Sequence, residues 1–260
     1  MEPEDFNKAM PETEEPRPKS FFSRLAGTYF SPGETFREIG RSPAVLVPII
    51  ALIIFGFLQG FYLSKNFDME SMFSNMADQG QTQSQMTPEQ KERVEQQMAF
   101  MAKFMGAFVL VGSVVGTLIV ALIIAGVFRL ICRLVDVENT FKAIFCVTAY
   151  VFLAVSIVSF ALLALVASFK DPSELTYVNM RSLLTSNLGA ILGSLFGEDI
   201  LPKFFMKLFG YVDVFVIWYI ALLSIGYAAV SPKLKTARVA TWFSVLYGVI
   251  AVISAAIGSF

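Results

Sequence analysis

The chain has 260 residues, of which 55% are hydrophobic and 16% are charged, and its formal net charge is -1. This composition indicates one membrane domain, and the near-zero charge without a dense run of lysine and arginine argues against a nucleic-acid partner. The sequence contains no histidine, which is the commonest metal ligand and general base. We therefore expect no cofactor, no metal site and no enzymatic activity.

Residues 1–20 are rich in glutamate and proline. They lack the basic segment followed by an apolar stretch that is typical of a secretory signal peptide. A segment of this composition buries too little apolar surface to offset the entropy that ordering would cost. The sequence predicts a disordered, acidic cytoplasmic tail here.

Aromatic and aliphatic residues alternate with charged residues between Phe21 and Ile39, and Ser31-Pro32 interrupts this pattern. Apolar and charged side chains on opposite helix faces are typical of helices that lie in the membrane interface. The pattern predicts two short interfacial amphipathic helices before the first membrane span.

Five apolar stretches are long enough to cross a bilayer, whose hydrocarbon core of about 30 Å needs about 20 helical residues. They are residues 44–63, 105–128, 143–168, 213–231 and 240–260. None of the first three contains an aspartate, glutamate, lysine or arginine. The sequence therefore predicts an all-α polytopic membrane protein, a bundle of five transmembrane helices with flanking interfacial amphipathic helices.

Two longer connections carry helix signals of their own. Thr87 and Pro88 are suited to the cap and first position of a helix over 88–104, which we expect to continue directly into the second span. Apolar residues at helical spacing predict a second helix over 174–197, lying on the outer interface or packed against the other connection.

Basic residues set the predicted orientation. They crowd the short connections at 129–142 and 233–238, which the positive-inside rule assigns to the cytoplasm. The N-terminus is then cytoplasmic and the C-terminus lies outside.

Asp213 is the one carboxylate that the sequence places close to a membrane core. An ionised group buried there would be costly, so such residues often form proton or cation sites. The alternative is a hydrated carboxylate at the start of the fourth span, where it favours a helix N-terminus.

Small residues at four-residue spacing let two helix backbones approach closely. Gly112 and Gly116 form such a pair in the second span, and Ser254 and Gly258 form another in the fifth. These faces are candidates for packing within the bundle or between two copies of the chain. Trp218 lies near the middle of the fourth span, too deep for an interfacial aromatic belt, which indicates core packing.

Several peptides together resemble those of the Yip family, the Ypt/Rab-interacting five-pass membrane proteins. They are Phe30–Ile39, Ser42-Pro43, Leu46–Pro48, Thr140–Ala143, Val212–Trp218 and Ile225–Tyr227. The resemblance is greatest to the bacterial-type members. Among the positions that match these peptides, Pro32, Phe36, Pro43, Pro48 and Trp218 are candidate functional residues, and Gly226 is a candidate helix-packing residue.

The resemblance implies a non-enzymatic protein that acts in membrane organisation, or as an adaptor or scaffold, through protein contacts. It also implies the cell membrane as the location, with lipids and unidentified membrane or cytoplasmic proteins as partners, and a homo-oligomer is possible. The alternative function is a small oligomeric transporter or channel, in which Asp213 and the outer helices would form a vestibule.

Overall fold

The computed structural model describes residues 19–67, 88–176, 183–184, 186–197 and 200–257. The predicted tail lies almost wholly outside these residues, and so does Gly258. Apart from isolated bridge residues at Thr176 and between Asn187 and Asp213, the regular structure in the described ranges is helical. The predicted all-α class is confirmed.

The described chain begins with two short helices, α1 (Phe21–Phe30) and α2 (Pro32–Arg41). The side chain of Ser20 caps α1 by accepting a hydrogen bond from the Ser23 amide. Pro32 occupies the first turn of α2, where its missing N–H has no helical partner to lose. The two predicted helices and the break at Ser31 are confirmed.

Among the residues that the structure describes, four helices are long and apolar enough to cross a membrane. They are α3 (Leu46–Asn66), the apolar part of α4 (Pro88–Leu134), α5 (Phe141–Ala167) and α9 (Thr236–Ile257). Helix α4 is continuous over 47 residues, so the helix predicted before the second span does run directly into it.

Where the sequence predicts a fourth span at 213–231, the structure has the apolar helix α8 (Val214–Ala229) of 16 residues. At about 1.5 Å per residue it is about 24 Å long, which is shorter than a typical hydrocarbon core. Asp213 caps its first turn, and Val230 follows its last residue. The structure therefore combines four full-length membrane helices with one shorter apolar helix.

The connection before α8 differs from its prediction. The helix expected over 174–197 is not continuous: Pro172–Glu174 is a short 3-10 turn, Asn187 is extended, and an α-helix, α6, covers Leu188–Phe196. Asn187 has an extended backbone, and its side chain accepts from the Ala190 amide at 2.8 Å, which fixes the start of α6. A further short helix, α7 (Lys203–Gly210), precedes α8.

Helix α5 is the centre of the bundle. It packs against α1, α2, α3, α4 and α8, and residues 143–151 are all buried. Thr140 caps this helix through a hydrogen bond from the Ala143 amide. The core therefore lies where the N-terminal helices and the membrane helices meet around α5.

Helices α3 and α4 pack through two glycines that the sequence analysis did not single out. A Cβ atom added at Gly56 would lie 3.0 Å from the Ser113 carbonyl oxygen, and one at Gly60 would lie 2.9 Å from the Leu110 Cα. Only glycine permits such a close approach of two backbones. Gly56 and Gly60 form the small-residue packing face that membrane helices use.

Gly112 and Gly116 have no such role within the described bundle. A Cβ atom at either position would meet no described atom within 4 Å, so the described residues make no close backbone contact with this pair. The two glycines lie on the side of α4 away from α3. A homo-oligomer formed through this face stays a prediction.

This difference predicts opposite outcomes for the same substitution. Gly60→Ala should destabilise the chain by about 1–3 kcal/mol, since the new methyl group overpacks the contact with α4. Gly112→Ala should be neutral or stabilise by up to about 1 kcal/mol, because alanine favours a helix over glycine. Thermal unfolding in one detergent compares the two variants, and equal effects would contradict this assignment of helix faces.

Candidate functional site

The N-terminal hairpin, defined as α1 and α2 together, is docked into the bundle. On α2, the side chains of Thr35, Phe36 and Ile39 are fully buried, and this helix packs against α5 and α8. Its amphipathic pattern is therefore confirmed, with the apolar face turned toward protein. Neighbouring helices of the same chain cover this face of the hairpin.

Phe36 and Gly226 meet at the centre of this contact. A Cβ atom at Gly226 would lie 3.1 Å from Phe36 Cδ2 and would collide with the side chain of Val147. The glycine leaves the space on α8 that the phenylalanine ring fills. Two of the candidate residues, far apart in sequence, thus form one packing contact.

Helix α1 lies beside the middle of α5. The Tyr29 hydroxyl donates a 2.8 Å hydrogen bond to the carbonyl of Ala154, and its ring centroid is 6.0 Å from that of Trp218. Burial raises the pKa of the Tyr29 phenol, which therefore remains a neutral donor. Trp218 is half-buried and packs against the main core cluster, and one of its partners is the hairpin.

A buried ion pair joins the two helices of the hairpin. The Arg24 guanidinium donates to Glu38 Oε1 from Nη2 at 3.0 Å and from Nε at 3.2 Å, and only 2% of Arg24 is exposed. The Lys19 amide donates to the same oxygen at 2.8 Å. Glu38 Oε2 is buried and has no hydrogen-bond partner among the described residues.

The sequence analysis missed this pair because both residues fit the polar face of an amphipathic helix. It singled out Asp213 as the carboxylate close to a membrane core and did not consider Glu38 on the hairpin. The available signal was the opposite charge of Arg24 and Glu38, on two helices that only Ser31 separates. Such a pair indicates a contact only when the two helices are known to run antiparallel.

A second ion pair on the hairpin is exposed. Lys19 Nζ lies 2.9 Å from Glu34 Oε1. The hydrogen bond from Lys19, and then its positive charge, hold the pKa of the Glu34 carboxyl below its ordinary value. Exposed pairs of this kind contribute little to stability. The Lys19–Glu34 pair differs from the Arg24–Glu38 pair mainly in its greater exposure to solvent. It therefore provides a matched control for the effect of burial on an ion pair.

The candidate prolines mark the ends of helices. Pro32 begins α2, Pro43 lies in the connection from α2 to α3, and Pro48 is buried in the first turn of α3. Proline suits these positions because it fixes the backbone where no helical N–H is needed. The three residues fix the path of the chain from the hairpin into the first membrane helix.

Asp213 lies at the other end of α8, away from the Gly226 contact. Its Oδ1 accepts from the Phe215 amide at 2.7 Å, and its Oδ2 accepts from the Ser186 hydroxyl at 2.5 Å. Both oxygens are thus engaged in capping α8 and holding the preceding loop. This geometry favours the helix-terminus alternative over a proton or cation site. Asp213 and Ser254 line the same cavity of about 680 Å³.

The family model described as the Yip1 domain matches residues 26–258. The chain belongs to the Yip family. The matched region contains both sides of the hairpin contact, since it includes α2 and α8. Comparisons with curated proteins and with solved structures gave no match.

As a Yip family member with several apolar helices, this chain is a multi-pass membrane protein that contacts lipid. The structure brings Phe36, Gly226 and Trp218 together at the docked hairpin. It leaves Asp213 and Ser254 near the far end of α8, and Gly112 and Gly116 on an open face of α4.

Proposed function

We propose that this Yip family protein is a non-enzymatic membrane adaptor or scaffold, and that the docked hairpin is the surface that it presents to protein partners. The proposal places the chain in the cell membrane with its N-terminus in the cytoplasm and its C-terminus outside. The hairpin then lies toward the cytoplasmic side, together with the basic connections at 129–142 and 233–238.

One observation carries the proposal. Phe22 is 77% exposed and Phe30 is 88% exposed, although both lie on α1, which also carries the buried residues Arg24 and Thr28. The ring of Phe36 packs in the core of the bundle, whereas the rings of Phe22 and Phe30 lie outside it. Large apolar side chains on a fixed surface are typical contact residues of protein interfaces.

Polar contacts within the protein hold the hairpin in place. Its two helices share the buried Arg24–Glu38 pair, and Tyr29 bonds to the backbone of α5. A rigid contact surface binds a partner with less loss of conformational entropy than a mobile one. This rigidity supports a role in recognition.

The test is affinity purification from native membranes in mild detergent, with partners identified by mass spectrometry. We expect the double variant Phe22→Ser/Phe30→Ser to lose most of its partners while its thermal unfolding remains close to wild type, because neither ring is buried. Phe169→Ser is the matched control, since Phe169 is 83% exposed after the far end of α5. An unchanged set of partners in the double variant would refute the proposal.

A further inference from the structure

A cavity of about 680 Å³ lies where α6, α7, the start of α8 and the second half of α9 meet. Its volume is in the range of small-molecule sites, about 300–1,000 Å³. Its lining combines apolar groups such as Val216 with the polar side chains of Asn187, Lys207, Asp213 and Ser254. A few polar groups among apolar ones are typical of a site that binds a ligand in one orientation.

Close backbone contacts fix the walls of this cavity. The Leu188 amide donates a 2.9 Å hydrogen bond to the Val212 carbonyl, which joins the start of α6 to the segment before α8. A Cβ atom at Gly189 would lie 2.7 Å from the Met206 carbonyl oxygen, so α6 and α7 touch backbone to backbone. The walls are therefore in place before a ligand binds, and such a site loses less conformational entropy on binding.

The polar groups of the lining that are free to bind a ligand are hydrogen-bond donors. The Lys207 ammonium is exposed and forms no ion pair with the described residues. The Ser254 hydroxyl and the Asn187 side-chain nitrogen make no hydrogen bond to them either. Both Asp213 oxygens, in contrast, already accept hydrogen bonds. The cavity has a surplus of donors, one of them positively charged, and therefore fits an anionic acceptor.

The cavity lies at the level where hydrocarbon must give way to lipid head groups. Helix α8 begins at Val214, and an irregular segment with the charged Asp213 precedes it. Irregular backbone and charged side chains do not occur in contact with the hydrocarbon of a bilayer. Val214 and Ile217, at the start of α8, are 63% and 59% exposed, so lipid tails can contact this helix beside the cavity. Phospholipid phosphates are then the anions nearest to the Lys207 ammonium.

We propose that this cavity binds the phosphate diester of one phospholipid from the leaflet at the Asp213 end of α8. The Lys207 ammonium pairs with the phosphate, the Ser254 hydroxyl donates to one of its oxygens, and the acyl chains leave along Val214 and Ile217. Asp213 carries a negative charge in the same lining, so it disfavours a second anionic group on the lipid. The site should prefer phosphatidylethanolamine, which is zwitterionic, to phosphatidylglycerol.

The experiment is native mass spectrometry of the full chain in detergent, titrated with phosphatidylethanolamine. The fraction of protein that carries one lipid gives the affinity. Lys207→Gln should lower this affinity by about two- to fivefold, the effect of an ion pair at an exposed site. Ser254→Ala should lower it by about two- to tenfold through the loss of one hydrogen bond. Lys203→Gln is the matched control, because Lys203 is exposed on the same helix and does not line the cavity.

Two further ligands identify the source of the phosphate. Diacylglycerol with the same acyl chains lacks the phosphate, so it should bind more weakly, and Lys207→Gln should not change its binding. Inorganic phosphate at millimolar concentration should not displace the lipid, because it lacks the chains that contact α8.

Four outcomes would overturn the inference. The first is that Lys207→Gln and Ser254→Ala bind phosphatidylethanolamine as tightly as Lys203→Gln does. The second is diacylglycerol binding that Lys207→Gln weakens as much as phospholipid binding. The third is displacement of the lipid by inorganic phosphate, which would make free phosphate the ligand. The fourth is tighter binding of phosphatidylglycerol than of phosphatidylethanolamine.

Thermal unfolding of each variant is recorded first, so that a misfolded protein is not counted. The inference does not depend on the proposed adaptor role, because none of these measurements involves a protein partner.

Discussion

Arg24→Gln is expected to destabilise the folded chain by about 3 kcal/mol, since removing one partner of a buried ion pair leaves the other charge without compensation; the value is at the lower end of the usual range because the Glu38 side chain is 22% exposed. Glu38 would keep only the Lys19 amide among the donors now on its Oε1. Thermal unfolding in detergent measures the loss. Labelling of Cys146 in a Cys132→Ser background gives a second measurement, because this thiol is buried in the same core cluster as Phe36.

Two further variants distinguish the buried pair from a general effect of charge. Arg24→Gln/Glu38→Gln should recover most of the lost stability, because it removes both charges and keeps groups that can hydrogen-bond. Lys19→Gln should change little, since its ion pair with Glu34 is exposed. If Arg24→Gln altered stability no more than Lys19→Gln, the ion pair would not be a support of the hairpin.

The sequence predicted the positions of most helices because the signals for them are local. The length of an apolar stretch fixes whether a helix can span a bilayer, and cap residues fix where it starts. Thr140 before α5 and the Ser31-Pro32 break between α1 and α2 are examples. The prediction over 174–197 failed at Asn187, which begins a helix where apolar periodicity alone suggested an uninterrupted one.

Which face of a helix packs against which neighbour was not predictable in the same way. Gly56 with Gly60 and Gly112 with Gly116 have the same spacing in two apolar helices, yet only the first pair touches another backbone. The difference depends on how each helix is rotated in the bundle. That rotation depends on all the contacts of the helix together, so the four-residue spacing of the glycines does not determine it.

The contacts between helices in the candidate site were also not predictable from the sequence. Residue types typical of the Yip family identified Phe36 and Gly226 separately, and only the structure brings them into one contact. Arg24 and Glu38 are 14 residues apart, and their pairing depends on the angle between α1 and α2. Pattern analysis treats each helix separately, so a charge that faces a second helix is assigned to solvent.

Phe36→Ala should lower the free energy of hairpin docking by about 3 kcal/mol. This value is at the lower end of the range for a fully buried phenylalanine, because the undocked helix can still place its ring in lipid. The lost contacts are with Gly226 and its surroundings on α5 and α8. Faster labelling of Cys146 and a lower unfolding temperature in detergent would both report the loss.

The matched control is Phe30→Ala, which removes the same ring from an exposed position of the same hairpin. It should leave unfolding and Cys146 labelling unchanged, whereas it should weaken partner recovery if the exposed rings bind protein. Phe36→Ala should reduce both stability and partner recovery, because partners need the hairpin in its docked position. Normal stability of Phe36→Ala would contradict the docked hairpin itself, and with it the structural basis of the adaptor role.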